Sequence, residues 1–146
     1  MSHPIMDYSQ IAPWLFLGTN LCCSMHAEKL DALGVDIDIS LEEERIELPG
    51  KMQMFLWLPV KDHAAPTKEQ VSVGVAVLAE AEKKNLRAYV HCRNGHGRSP
   101  TLVIAYFIKK GMSYDKAYAL VADKRPEIEL TEAQTQALKE FEKTVR

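Results

Sequence analysis

The chain has 146 residues, 47% of them apolar and 26% charged, and 18 basic against 20 acidic side chains give a formal net charge of −2. These values predict one globular domain over residues 1–146 and argue against a disordered or fibrous protein. The longest nearly uninterrupted apolar stretch, 71–79, is less than half of the roughly 20 residues that a membrane-spanning helix needs. No Lys or Arg precedes an apolar block at the start of the chain, so we expect no secretory signal and a cytoplasmic location.

The first half of the chain predicts three strands and one helix. A short apolar run at 14–18 predicts a strand, and a helix over about 24–33 should end at Gly34, a typical C-cap residue. Residues 35–39 alternate apolar and polar, which indicates a strand with one solvated face. The continuous apolar run 54–58 is typical of a strand buried on both faces.

The middle of the chain contains a helix and a further strand. Thr67 and Gln70 have the spacing of a capping box, which predicts a helix over about 68–84. Residues 87–91 then form a short predicted strand. This alternation of strands and helices predicts the α/β class, with a largely parallel sheet of four to five strands and helices on both faces.

Three helices close the chain and should form a C-terminal cluster. Ser99 should cap the first, which is apolar nearly all round and therefore buried until Gly111 ends it. Ser113 should cap the second, and Thr131 with Gln134 should open the last.

Charge is distributed unevenly along this nearly neutral chain. Residues 28–47 hold eight acids against two bases, and residues 83–98 hold five bases and no acid. Each stretch is explained most simply as a solvated face, and the triplet 42–44 as a solvated loop. The basic stretch, however, contains the most informative segment of the chain, and we expect that segment to bind an anion.

That segment is His91-Cys92-Arg93-Asn94-Gly95-His96-Gly97-Arg98-Ser99-Pro100, between a predicted strand and a buried helix. A seven-residue loop with two glycines can curl so that its backbone N–H groups converge at a helix N-terminus, where an anion is favoured. The same positive end, together with Arg98, would favour a nucleophilic thiolate at Cys92. The planar fork of Arg98 can hold two phosphoryl oxygens.

The segment matches the His-Cys-x-x-Gly-x-x-Arg-Ser signature and resembles the cysteine-based protein tyrosine and dual-specificity phosphatases. The similarity extends over about residues 12–143: the segment 60–66 resembles the general-acid loop, and 118–134 resembles the closing helices. The length resembles that of the small atypical dual-specificity enzymes. The resemblance therefore implies a phosphatase-like fold and one catalytic domain.

The resemblance also implies a role for each matching residue. Cys92 would attack phosphorus and form a phosphocysteine, while Arg98 and the amides of the loop residues Arg93, Asn94, Gly95, His96, Gly97 and Arg98 would bind the phosphoryl oxygens. Asp62 would protonate the leaving oxygen and then activate water. Ser99 would help the thiolate leave, and His91 would orient the loop. Neither a metal nor another cofactor is implied, and we expect a monomer without specific nucleic-acid binding.

Several alternatives stay open at this point. Asp36 and Asp38 are rival acids, although their alternation is better explained by a solvated sheet face. Arg93 and His96 could contact substrate or only solvent. Low-molecular-weight phosphatases and rhodaneses share the Cys-x5-Arg spacing, but in the former the loop is near the N-terminus and the acid follows it. A phosphate-binding pseudoenzyme is a further alternative, and p-nitrophenyl phosphate turnover would separate it from an enzyme.

The substrate is less well determined than the chemistry. No insertion resembles the loop that deepens the pocket of classical tyrosine phosphatases, so we expect phosphotyrosine, phosphoserine and phosphothreonine in proteins to reach Cys92. Basic Arg93 and His96 also suit a phosphoinositide, an inositol phosphate or an RNA 5′-triphosphate. The remaining cysteines, Cys22 and Cys23, should be reduced, and either could trap oxidised Cys92 as a disulfide. With His26 they lack a second ligand pair for zinc.

Overall fold

The computed structural model describes residues 6–21, 24–46 and 50–145, which form five strands and five helices. Cys22 and Cys23 lie outside these ranges. In chain order the elements are β1 (Tyr8–Ala12), β2 (Leu15–Gly18), α1 (Ser24–Ala32), β3 (Ile37–Glu42), β4 (Met54–Val60), α2 (Lys68–Lys83), β5 (Ala88–His91), α3 (Arg98–Lys109), α4 (Tyr114–Lys124) and α5 (Glu132–Thr144). In the described ranges, no helix is long and apolar enough to cross a bilayer.

The strands form one sheet in the order β1-β2-β5-β3-β4, and every pairing is parallel except that of β1 with β2. This confirms the predicted α/β class and the largely parallel sheet. Strand β1 was not predicted, because only Ile11 of its five residues is buried and the alternation is weak. It pairs with β2 through the tight turn at Pro13 and Trp14.

Helices cover both faces of the sheet, as predicted. Leu30 of α1 packs with Phe16 and Tyr89 on one face. On the other face lies α3, whose residues 98–108 are all buried, with α2, α4 and α5 packed around it. The central position of α3 explains its continuous apolar sequence. Residues 92–97, which we call the signature loop, connect β5 to the first turn of α3.

The helix starts agree with three of the four capping signals, those at Thr67, Ser113 and Thr131. Thr67 and Gln70 form a complete capping box at α2, and Thr131 and Gln134 form another at α5. Helix α1 ends as predicted before Gly34, which adopts a left-handed φ of 73°. These signals are local, since each bond joins residues within one turn, and local signals are readable from sequence.

Two predictions about strand burial were wrong. Strand β3 does not have a solvated face, because all six of its residues are buried, Asp38 and Glu42 among them. Strand β4 is not buried on both faces: it is an edge strand, and Met54 is 43% exposed. In both cases the position of the strand in the sheet outweighs its hydrophobic pattern, since β3 is central and β4 has one neighbour.

Candidate active site

The signature loop lies at the carboxyl edge of the parallel strands. Cys92 is the first residue after β5, and Arg98 is the first residue of α3. In open parallel sheets this edge is where ligands bind. Both side chains are deeply placed, since Cys92 is 3% exposed and Arg98 is 2% exposed.

Five successive carbonyl groups of the loop are held by donors outside it. Their acceptor oxygens and donors are Arg93 O from Asn20 N (3.3 Å), Asn94 O from Arg125 Nη2 (3.1 Å), Gly95 O from Arg125 Nε (2.9 Å), His96 O from Glu129 N (2.7 Å) and Gly97 O from Thr101 N (3.0 Å). In a trans peptide group the C=O and the following N–H point in opposite directions. The outward carbonyls therefore turn the amides of residues 94–98 toward the inside of the loop.

The converging amides lie at the N-terminus of the 12-residue α3. The partial positive charge of the helix end adds to that of the amides, and this combination favours an anion inside the loop. Gly95 makes this curvature possible with a φ of 70°. A Cβ atom there would lie 2.6 Å from the carbonyl oxygen of Gly18, so no other residue fits without a shift of backbone.

Arg125 holds the loop from behind, a role that sequence reasoning missed. Its guanidinium is fully buried and, besides the carbonyls of Asn94 and Gly95, it contacts Ser9 Oγ at 3.1 Å and Asp7 Oδ2 at 3.3 Å. It thereby joins the loop to strand β1. A possible signal was the position of Arg125 beside Pro126 in the segment that resembles the closing helices, but nothing in that segment points to the loop.

We expect Arg125→Met to weaken both the fold and the signature loop. The change leaves the carbonyls of Asn94 and Gly95 without their donor and removes a buried charged group from its partners, which should lower the free energy of unfolding by about 3 kcal/mol. A loosened loop should also lower kcat/KM by about 10- to 100-fold. Urea unfolding and p-nitrophenyl phosphate assays measure the two effects, with the exposed neighbour changed in Lys124→Met as control. Equal behaviour of the two variants would contradict the role assigned to Arg125.

Ser99 faces the sulfur of Cys92 and does not cap the helix. Its Oγ lies 3.2 Å from Cys92 Sγ, and the residue is completely buried. The N-cap is Gly97, so the prediction of Ser99 as N-cap was wrong. The helix begins two residues earlier than predicted, so Ser99 is its second residue and its hydroxyl points inward to Cys92.

Arg98 is held by a residue that sequence reasoning assigned to a solvated loop. Glu44 accepts from Arg98 Nη1 at 2.6 Å and from Nη2 at 2.9 Å, and Val60 O accepts from Nη1 at 2.8 Å. The hydrogen bonds from Arg98 hold the pKa of Glu44 below its ordinary value. Burial opposes the charged guanidinium, but Glu44 and the nearby Cys92 sulfur outweigh it and raise the pKa of Arg98. The arginine therefore stays charged in its buried position.

Asp62 is the one candidate acid that lies at the site among those considered from sequence. It follows β4, lines the same cleft as Cys92, and its side chain is 51% exposed. Asp62 Oδ1 lies 3.6 Å from Arg98 Nη2. Asp36 is at the opposite end of the sheet, since it precedes β3 and accepts from the amide of Arg87.

The other rival acid, Asp38, is buried behind the loop against His91. The His91 Nε2 and Asp38 Oδ1 atoms lie 2.8 Å apart, and both side chains are completely buried. The two residues lie on neighbouring strands, β5 and β3, two register positions apart. A fixed imidazole directly before Cys92 is consistent with His91 as an orienting residue, and it explains why Asp38 is not solvated.

The cleft above the loop has a volume of about 290 Å³. Its lining includes Asp62, His63, His96 and Thr131, so the loop residue His96 does face it. Arg93 is exposed at the end of the loop next to β5. Of the described residues that line the cleft, Arg98 is the one permanent cation, and Asp62 and Glu129 are carboxylates.

The sequence of this chain matches a protein family and several curated proteins. Residues 15–144 match the family model described as the catalytic domain of dual specificity phosphatases. Phosphatidylglycerophosphate phosphatase PTPMT2 of Arabidopsis thaliana is 29% identical, over 92% of this chain and 62% of that protein. Human dual specificity protein phosphatase 7 is 28% identical, over 93% of this chain and 33% of that protein. The chain thus spans less than two thirds of these curated relatives.

Solved structures give the same picture at the level of the fold. PTPMT1 in complex with PI(5)P superposes with a TM-score of 0.81 and 26% identity, and the match covers 94% of this chain and 96% of that chain. Human DUSP28 superposes with a TM-score of 0.83 and 25% identity, and here the match covers 94% and 96%.

Proposed function

We propose a function for this chain, which belongs to the family of dual specificity phosphatase catalytic domains. The proposed function is the hydrolysis of phosphomonoesters through a phosphocysteine intermediate. The observation that carries the proposal is the loop whose amides and Arg98 converge above Cys92, with Asp62 at the mouth of the same cleft. This arrangement supplies a nucleophile, an anion site and an acid. The proposed substrates are phosphotyrosine, phosphoserine and phosphothreonine in proteins.

In the first step Cys92 Sγ attacks phosphorus. The new S–P bond forms as the bond from phosphorus to the leaving oxygen breaks, and Asp62 donates its proton to that oxygen. The loop amides and Arg98 hold the three remaining phosphoryl oxygens, where charge develops in the transition state. His91, held by Asp38, fixes the start of the loop.

In the second step a water molecule attacks phosphorus and the S–P bond breaks. The Asp62 carboxylate takes a proton from this water, which restores the acid. The thiolate leaves toward the hydroxyl of Ser99, whose Oγ is 3.2 Å from Sγ and can donate a hydrogen bond to the developing charge. Inorganic phosphate is then released.

The contacts of Arg98 leave one edge of its guanidinium for substrate. A guanidinium has five N–H groups. Two of them bind Glu44 and one binds Val60 O, all through the Nη atoms. The Nε proton and the second Nη2 proton, which these bonds do not use, lie on one edge and match two oxygens of a phosphoryl group.

The charge of the cleft favours a substrate with a single phosphoryl group. One permanent cation, already paired with Glu44, lies in the described lining with the carboxylate of Glu129 and the acid Asp62. A ligand with several phosphates would meet little further compensating charge. This supports phosphorylated side chains of proteins as substrates over inositol polyphosphates or an RNA 5′-triphosphate.

A phospholipid is the second candidate substrate. The similarity to a phosphatidylglycerophosphate phosphatase and to PTPMT1 in complex with PI(5)P supports it, because the match to that structure covers 94% of this chain. Phosphate release from phosphotyrosyl and phosphoseryl peptides, phosphatidylglycerophosphate, PI(5)P, an inositol phosphate and triphosphorylated RNA should be compared. Preferred hydrolysis of a lipid would replace the protein substrates, and no turnover even of p-nitrophenyl phosphate would indicate a pseudoenzyme.

Asp62→Asn tests the acid. Asparagine has no proton to give to the leaving oxygen, so a strongly basic alkoxide from phosphoserine should need Asp62 far more than p-nitrophenolate does. We expect kcat to fall about 100-fold on a phosphoseryl peptide and much less on p-nitrophenyl phosphate. Equal losses on both substrates would show that Asp62 is not the acid.

A further inference from the structure

Thr131 and Gln134, which form the capping box of α5, have hydrogen-bond donors that the box does not use. Thr131 Oγ1 accepts from Gln134 N at 3.2 Å, and Gln134 Oε1 accepts from Thr131 N at 3.0 Å. These bonds use oxygen acceptors only. The hydroxyl proton of Thr131 and the Nε2 protons of Gln134 remain for other partners.

Both spare donors bind the segment that contains the acid. We call residues 61–65 the acid loop. Thr131 Oγ1 donates to His63 O at 2.9 Å, and Gln134 Nε2 donates to Ala64 O at 3.0 Å. The two acceptors belong to successive residues directly after Asp62, so the first turn of α5 is attached to the acid loop at two adjacent points.

The acid loop needs this support because its backbone is strained. His63 has a φ of 70°, a left-handed conformation that a residue with a Cβ atom adopts at a cost. In this conformation the His63 amide donates to Asp62 Oδ1 at 3.0 Å, which fixes the carboxylate. The imidazole of His63 is mainly in solvent, with 82% of the side chain exposed, so its own packing does little to hold the turn.

Gln134 also lies against the signature loop, which is the phosphate-binding loop of the proposed mechanism. A Cβ atom on Gly97 would lie 2.9 Å from Gln134 Oε1 and 3.1 Å from Gln134 Nε2. Gln134 is only 1% exposed. One buried amide group therefore lies between the loop of the nucleophile and the loop of the acid, and it bonds directly to the second.

We infer that Thr131 and Gln134 are positioning residues for Asp62: they hold the acid loop in its left-handed turn at a set distance from the phosphate-binding loop. The inference deepens the proposed function and depends on it. The residues touch no reacting atom in this role. They act by keeping the Asp62 carboxylate above Cys92, so their loss should have the signature of a poorly placed acid.

The test compares the same substitution in the two capping boxes. Thr131→Val removes the capping oxygen and the bond to His63 O. Thr67→Val removes the equivalent capping oxygen from α2, where the hydroxyl accepts from Gln70 N in its own helix. The loss of a cap is thus common to both variants, and Thr131→Ser, which keeps the hydroxyl, serves as the conservative rescue.

We expect a leaving-group effect from Thr131→Val alone. Phenyl phosphate releases a basic phenolate, whose conjugate acid has a pKa near 10, and needs the acid more than p-nitrophenyl phosphate does. Thr131→Val should lower kcat about 10-fold on phenyl phosphate and less than about 3-fold on p-nitrophenyl phosphate. Thr67→Val and Thr131→Ser should keep near-normal values on both, and the two valine variants should melt at similarly lowered temperatures.

A double-mutant cycle gives the decisive result. In the Asp62→Asn background, Thr131→Val should cause no further loss on phenyl phosphate, because there is no acid left to position. An additive loss, or equal losses on both substrates from Thr131→Val, would overturn the inference. If Asp62→Asn shows the leaving-group effect and Thr131→Val does not, only the positioning role fails. If the unaltered chain turns over neither aryl phosphate, the proposed function itself fails.

Discussion

Cys92→Ser should have no measurable turnover of p-nitrophenyl phosphate and should still bind phosphate. A serine hydroxyl is far harder to ionise than a thiol, so neither the loop amides nor Arg98 can turn it into a comparable nucleophile at neutral pH. The binding groups are separate from the sulfur: they are backbone amides of residues 94–98 and a guanidinium held by Glu44. Phosphate affinity, measured by isothermal titration calorimetry, should therefore change by less than about 10-fold.

A trapping experiment separates this role from a merely structural one. Acid quenching of the unaltered protein during turnover of a radiolabelled phosphopeptide should leave label on the Cys92 peptide, and Cys92→Ser should leave none. Steady-state hydrolysis by Cys92→Ser above a trace of the parent rate would contradict the nucleophile assignment. So would label on any other residue of the unaltered protein.

Arg98→Lys should lower kcat by at least about 100-fold, the scale expected when one preorganised charge-stabilising group is lost. Lysine keeps the charge, but a single ammonium cannot bind both oxygens of Glu44 and also present two parallel N–H groups to the phosphoryl group. The transition state spreads charge over its equatorial oxygens, so the lost second contact matters most there. The fall should appear in kcat more than in KM.

Arg87→Lys is the matched control, since Arg87 is an exposed arginine just before the opposite end of β5, where it donates to Leu33 O. It should leave kcat within about 2-fold of the parent, as surface changes usually do. Thermal melts should show both variants folded. Near-normal kcat for Arg98→Lys would mean that Arg98 supports only the structure of the loop.

Most local patterns in the sequence predicted the structure correctly, and the cap expected at Ser99 was the exception. The capping boxes at Thr67 and Thr131 and the stop at Gly34 were read correctly, because each depends on residues within a turn of one another. The signature from His91 to Ser99 was informative for the same reason. A loop of fixed length between a strand and a helix places Cys92 and Arg98 together wherever it occurs, and the family match confirms the resemblance.

Residues that act across the fold could not be identified in this way. Glu44 is 54 positions from Arg98, and Arg125 is 30 positions from Gly95, and each looks in sequence like an ordinary surface charge. A hydrophobic pattern predicts which apolar residues are buried. It does not predict the burial of a charged group, which depends on partners that are distant in sequence. Asp38 shows the error most clearly, since it was read as solvated and lies fully buried against His91.

The chemical groups, the loop in which they lie and the class of fold depend on residue type and short-range spacing, so they can be predicted from the sequence. How these groups are held depends on the tertiary structure. It placed Glu44 on Arg98, Arg125 beneath the loop and the capping box of α5 against the acid loop. It also directs the Ser99 hydroxyl, which was expected to cap the helix, toward the sulfur of Cys92. These contacts form only when distant segments pack, and the packing is a property of the whole sheet and its helices.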